Sequence, residues 1–383
     1  MKSIKCLALA ASLLTLFAAC KKENADSGLG LHPKENAVTA QAGMNAFGKY
    51  ENGFLMVHEG QYGVNNGDLW YYSYDSNKVA KDIYKKENPT KNLGPTTSTL
   101  QFATIFNNKV YMVVKVGGPL VATDAHTLVE TGRIANLPQS EGYAFVGVDA
   151  SRGLLSAVDG VYRISLSGPT LGTKVAGING PAGDMLLAGN YVFVMTKDEG
   201  VVALNASDYS IAKKFGIGDA GFARTNDGTV WVTGKDSLVA INPTSLAVSR
   251  VKLPFATTNP WAYLSWRSGS LTSNGTAVFI AERKSTAGIG GNIEYGGTKL
   301  YRYVPGNAAS LSAPFLTVPS GQYFYGSAVR YNAARNELLV ITLTDEFGAS
   351  NDNRWLMYDP GTAALKETVR YSGYYFPALP VFY

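Results

Sequence analysis

Apolar and polar positions alternate in short runs along most of this chain, and three stretches repeat one arrangement of them: residues 109–134 (KVYMVVKVGGPLVATDAHTLVETGRI), 191–217 (YVFVMTKDEGVVALNASDYSIAKKFGI) and 229–253 (TVWVTGKDSLVAINPTSLAVSRVKL). Each reads as strand, tight turn, strand, turn, strand, because period-two alternation gives every run one apolar face while Gly, Asp, Asn and Ser punctuate the breaks. An aromatic marks the first run of each copy, at Tyr111, Phe193 and Trp231. These lie 82 and 38 residues apart, and Leu155 of GLLSAVDGVYRISL fills the missing place between the first two. A period of roughly 40–45 residues with about four short strands predicts an all-β fold, a β-propeller, since a lone four-stranded sheet cannot bury both faces and must stack on its neighbours.

Following the period along the chain gives seven blades, although boundaries read from pattern also leave six or eight open. Blade 1 runs through 53–59, 67–75 and 78–84 and has only three strands. The next four begin near 99–106, 142–149, 183–189 and 221–228, the sixth covers 268–304 and the seventh 325–372. PALPVFY (377–383) is one strand's worth of apolar residues with no blade of its own. It is expected to supply the innermost strand of blade 1, so that the two ends of the chain close the ring and remove its exposed edges.

The amino-terminal residues follow a different rule. Lys2 and Lys5 precede an apolar run from Cys6 to Ala19, and polar KKENADSG follows Cys20. The run is too short to span a bilayer comfortably and reads as a secretory signal, residues 1–19. Ala18-Ala19 before Cys20 resemble the bacterial lipobox, whose Cys becomes the lipidated first residue, and Phe17 stands where Leu is usual. Residues 20–45 then form a lipidated Cys20 and a flexible, Gly/Ala/Asn-rich tether, and 46–383 the propeller. The expected location is the outer membrane, lipid-anchored and facing the cell surface.

Composition narrows the chemistry. The chain carries a formal charge of +5, falling to +3 without Lys2 and Lys5, and its basic residues are scattered, so no nucleic-acid partner is expected. Its two cysteines are Cys6 and Cys20, so the mature domain has no disulfide and no thiol chemistry. Three histidines remain: His32 in the tether, His126 in a turn, and His58, which alone stands near a plausible site. Too few histidines converge for a zinc site or a Ser-His-Asp relay. GIGDAG (216–221) matches G-x-G-x-x-G, but FARTNDGTVWV after it reads as a strand rather than the helix that would hold a pyrophosphate. Asp345, Glu346 and Asp352 miss the calcium-loop spacing. The chain is therefore expected to be no enzyme, with no cofactor, no metal and no catalytic residue.

A binding face is the remaining expectation. The connections between blades and those joining second to third strands emerge on one side of a propeller. They include residues 58–67, 86–98, 137–142, 257–267, 283–297, 320–326, 345–354 and 373–377. Long loops rich in Tyr and Trp with polar neighbours suit a large amphipathic ligand. Trp261, Tyr263, Trp266, Tyr323, Tyr325 and Tyr374 are the expected flat contacts, with Tyr62, Tyr295, Phe324 and Tyr375 beside them. Asn65, Asn66, Arg283 and Arg354 would bond a polar rim, and His58 and Glu59 lie at its edge. Interblade wedges are the competing role for about half of the aromatics, because aromatic side chains bury large area.

The opening GFLMVHEGQYGVNNGDLWYYSYD and the close YYFPALPVFY resemble those of the YncE-like propeller lipoproteins of the Bacteroidota. Part of that group resembles the BtuG surface lipoproteins. The resemblance implies a seven-bladed surface lipoprotein that captures cobalamin or another corrinoid and passes it to a TonB-dependent transporter. His58 stands where that group usually has Asn. Two other classes compete: a glycan- or protein-binding platform, and a lactonase-like metal hydrolase in which Glu59, Asn66, Glu141 and Asp219 would converge.

Overall fold

The computed structural model describes residues 48–257, 261, 268–283, 297–344, 352–373 and 376–383. They form seven antiparallel sheets of four strands each. Blade 1 consists of Gly53–His58, Asp68–Ser73 and Lys78–Ala80 together with Pro377–Phe382. Blade 2 is Thr99–Phe106, Lys109–Lys115, Leu120–Asp124 and Glu130–Ile134. Blade 3 is Gly142–Gly147, Arg152–Ala157, Gly160–Ser165 and Thr170–Lys174. Blade 4 is Ala182–Ala188, Tyr191–Thr196, Gly200–Asn205 and Ile211–Lys214. Blade 5 is Ala220–Arg224, Val230–Gly234, Ser237–Ile241 and Val248–Lys252. Blade 6 is Leu271–Ser273, Val278–Ala281, Lys299–Tyr303 and Leu316–Thr317, and blade 7 is Tyr323–Asn332, Glu337–Leu343, Asn353–Tyr358 and Leu365–Tyr371. The innermost strands touch one another in sequence around the ring, and Pro377–Phe382 stands between those of blades 7 and 2.

Blade 1 is closed by the carboxy-terminal strand. Phe54 pairs with Phe382, Leu55 with Val381 and Met56 with Pro380, so the first strand of the chain lies second in its blade. Alternation then divides the blade between its neighbours. Leu55, Val57, Leu69 and Tyr71 join the core shared with blades 2 and 3, whereas Phe54, Met56, Trp70 and Tyr72 pack with Leu339, Ile341, Trp355 and Met357 of blade 7. Trp70 and Trp355 are wholly buried and meet at 6.5 Å between ring centroids. The seam where the ring joins is thus densely aromatic.

Two expectations about blade boundaries need correction. The third strand of blade 1 stops at Ala80, and Ile83–Glu87 is a short helix whose backbone leaves the sheet at Asp82, φ 52°. Blade 6 gains a fourth strand, Leu316–Thr317, beyond the segment assigned from sequence.

The turn between third and fourth strands explains why the repeat is visible at all. In blades 2, 4, 5 and 7 the residue that ends the turn has positive φ (Leu128, Tyr209, Leu246 and Ala363), and its N–H donates to the carbonyl four residues back, on Asp124, Asn205, Asn242 and Asp359. In three of these turns the first side chain also accepts backbone N–H groups inside the turn, as Asp124 does from His126 and Thr127. Asp and Asn are used there because a short polar side chain can satisfy the turn's own amides. The outer strands end the blades with charge, as in IAKK and VSRVK, which discourages edge-to-edge pairing.

Candidate functional site

The connections from fourth strand to next first strand, and from second to third, lie on one face, as the strand order requires. Two features dominate it among the described residues.

The first is at the ring centre. Innermost strands of several blades carry β-bulges, between Leu100 and Phe102, Gly142 and Phe145, Ala182 and Met185, Ala220 and Ala223, and Phe324 and Val329. A bulge re-aims a side chain. The one in blade 4 contains Asp184, whose carboxylate accepts from Ser268 Oγ at 2.6 Å and from Gly269 N at 2.8 Å. Arg330 of blade 7 donates to Ser268 Oγ at 2.8 Å and to Gly269 O at 2.8 Å. Ser327 Oγ donates to Gly269 O, and Ser270 Oγ accepts from Ala328 N. Blades 4 and 7 stand three places apart, so side chains that share Ser268 meet across the ring. Burial pushes the Asp184 carboxyl up and lowers Arg330 to about 10. Gly269 is required here, since a Cβ would come 2.3 Å from Gly221 N.

Ser268–Ser270 are the stem of the connection from blade 5 to blade 6, and Trp261 lies on that connection. Trp261 is partly buried and packs against the core of blades 1 to 3 and also that of blades 4 and 5, with Tyr143 edge-on at 6.2 Å. It therefore links blade 3 to the core of blades 4 and 5.

The second feature is a cleft of about 570 Å³ beside blade 1, lined by the 59–67 loop and the long 81–98 connection. Gly63 N donates to Thr96 O at 2.9 Å, and Asn66 Nδ2 donates to Gly94 O, tying the two loops together. Asp68 at its base accepts from Leu69 N at 2.6 Å, Tyr84 N at 2.9 Å and Lys85 N at 3.1 Å. Burial outweighs these donors and raises the Asp68 carboxyl to about 7. Asp82 Oδ1 accepts from Trp70 Nε1 at 3.2 Å, and the Lys81 ammonium lies 4.5 Å from the centroid of Trp70.

The sequence-predicted residues divide accordingly. His58, Asn65 and Asn66 line the cleft, and Tyr62 stands exposed on its rim loop. His58 is buried, its ring 4.1 Å from that of Trp70, and so forms the back of the cleft rather than a contact surface. Glu59 is also buried, with its N–H on Phe376 O. Phe324 and Tyr325, both expected on the ligand face, are buried in the fold instead. Phe324 belongs to the core of blades 6 and 7, and Tyr325 packs against Phe376 with ring centroids 5.6 Å apart, both nearly inaccessible. Tyr323 is half-buried at the start of the innermost strand of blade 7. Arg354 is paired with Asp352 through two nitrogens, and Arg283 N donates to Ala256 O. Tyr263, Trp266, Tyr295, Tyr374, Tyr375 and the lipidation candidate Cys20 lie outside the described residues.

Glu59, Asn66, Glu141 and Asp219 do not assemble a metal centre. Glu141 accepts from Tyr143 OH at 2.9 Å, and the described residues contain no group of three or more His, Cys, Asp or Glu able to hold an ion. Sequence reasoning placed the 86–98 connection on this face but missed Asp68, Trp70 and Asp82. The signal was the length of the connection after blade 1, which the extra helical turn YKKE fills.

A ring of seven blades carrying its long loops on one face defines a β-propeller built around a receptive surface. The chain belongs to the family described as a domain of unknown function, DUF5074, whose pattern matches residues 52–383. No curated protein matches it. Among solved structures it is similar to a quinonprotein alcohol dehydrogenase-like protein, BT1487, from Bacteroides thetaiotaomicron, at 18% identity and TM-score 0.68 over 87% of this chain and 78% of that one. It is also similar to the extracellular domain of a putative hybrid two component system, BT4673, from the same organism, at 13% identity and TM-score 0.50 over 76% of this chain and 36% of that one. Likeness to the dihydro-heme d1 dehydrogenase NirN is comparable, at 10% identity and TM-score 0.51 over 90% and 78% of the two chains. At these identities the likeness establishes the fold alone.

Proposed function

We propose that the protein is a lipid-anchored envelope protein whose loop face captures a small-molecule nutrient, with a corrinoid as first candidate, and delivers it to a TonB-dependent transporter. The observation that carries the reading is the pairing of Trp261, on the connection from blade 5 to blade 6, with an open cleft on the same face. Small-molecule sites typically occupy about 300–1,000 Å³ and combine apolar walls with a few convergent polar groups. A corrinoid exceeds the cleft, so in this reading it lies across the face with Trp261 as its flat anchor. In the same reading the propeller is a carrier rather than an enzyme, in keeping with its YncE-like and BtuG-like opening and close.

Cobalamin and cobinamide titrated into the soluble Cys20→Ala protein test this directly by their visible absorbance. Binding is expected, with Trp261→Ala weakening it by about 2 kcal/mol or more, as for a central aromatic anchor. Failure of both corrinoids to bind removes that ligand. Fractionation tests delivery at the envelope: wild-type protein is expected with the outer membrane and Cys20→Ala in the soluble periplasmic fraction.

A further inference from the structure

The cleft beside blade 1 has a chemistry of its own, separate from the ring centre. Its formal charges are already compensated from within. Asp68 holds three backbone N–H groups, and Lys85 Nζ donates at 3.0 Å to both Pro89 O and Lys91 O. Lys81 covers Trp70 beside Asp82. An anion would find no dedicated partner, because both lysines are committed to the fold.

What remains for a ligand is hydrogen bonding of both kinds. Asn65 uses Oδ1 for Gln61 N, Asn66 uses Nδ2 for Gly94 O, and Asp82 uses Oδ1 for Trp70 Nε1. Asn65 Nδ2, Asn66 Oδ1 and Asp82 Oδ2 make no hydrogen bond to the described residues. Donor and acceptor thus line one wall, with the backbone of Gly60, Gly67 and Gly94 beside them. Pro95 and Leu93 add an apolar side, and Tyr62, 63% exposed, stands next to Gly63, which is bonded to Thr96 at the rim. A vicinal diol both donates and accepts, and a pyranose also offers an apolar C–H face to an aromatic ring. We infer that the blade 1 cleft binds an uncharged, hydroxyl-rich ligand, a short saccharide, with Asp82, Asn65 and Asn66 on its hydroxyls and Tyr62 against its ring face.

This site stands whether or not the face accepts a corrinoid, so the two readings fail separately. The test is calorimetric titration of the soluble protein with glucose, galactose, N-acetylglucosamine, maltose and cellobiose, with inorganic phosphate and arginine methyl ester as charged probes. At least one saccharide is expected to bind and the charged probes to be ignored. Asp82→Asn, which tolerates the left-handed backbone at φ 52°, and Tyr62→Ala, on an exposed side chain, should each weaken that saccharide about ten-fold or more. Binding of no saccharide, preference for a charged probe, or affinity untouched by Asp82→Asn and Tyr62→Ala would overturn the assignment.

Discussion

Replacing Asp184 with Ala should be among the most damaging single changes in this chain. The carboxylate is wholly enclosed and makes two short hydrogen bonds to the stem of the blade 5 to blade 6 connection, while Arg330 approaches the same stem from the far side of the ring. Each bond to a charged group contributes about 1.5–3 kcal/mol, and its loss leaves Gly269 N–H and Ser268 Oγ without that acceptor. Arg330 would then be a buried guanidinium with its counter-charge gone. Breaking a buried pair from one side typically costs about 3–5 kcal/mol, which sets the expected loss. Urea unfolding followed by tryptophan fluorescence and far-ultraviolet circular dichroism measures it, with an unchanged slope showing that the same surface is exposed. Arg330→Met in the Asp184→Ala background should recover about 2 kcal/mol relative to the sum of the single losses, because no charge is then stranded. A loss below about 1 kcal/mol for Asp184→Ala, or strict additivity in the double variant, would refute the claim that this cluster ties blades 4, 6 and 7 across the ring.

Two further outcomes follow from the fold and the cleft. Deleting residues 377–383 removes the innermost strand of blade 1, freeing an edge of that sheet and uncovering the innermost strands of blades 2 and 7; the variant should lose cooperative unfolding, and an unchanged midpoint in urea would show the strand to be dispensable. Asp68, held at about 7 in the fold against about 3.8 in the open chain, binds more protons folded than unfolded between those values; its contribution to stability should fall as pH rises from about 4 to 7 and stay level above, and Asp68→Asn should flatten that slope, an unaltered profile in the variant counting against the assignment.

Blade number, blade order and ring closure were legible because the information is local. A turn such as 242–246 must satisfy its own amides, so Asn, Thr and Ser recur there. Its position in each repeat can then be read without knowing what packs against it. The helix at Ile83–Glu87 was not legible by the same standard. KVAKDIY continues the alternation of a strand, and only the left-handed turn at Asp82 and the two bonds that Asp68 accepts from the amides of Tyr84 and Lys85 lift the chain away from the sheet. Those bonds join residues some 16 positions apart, beyond the reach of a pattern.

The candidate site was less legible for a related reason, and Phe324, Tyr325 and Trp261 show it. All three stand in aromatic-rich connections or strand starts, and composition treats them alike. Phe324 and Tyr325 sit at the bulged beginning of an innermost strand, where the side chains point into the interblade core and toward Phe376. Trp261 has no strand to dictate its direction, and it packs against the cores of both halves of the ring instead. Its placement depends on a stem held by Asp184 and Arg330, residues 77 and 69 positions away, which alternation places only as members of buried strands.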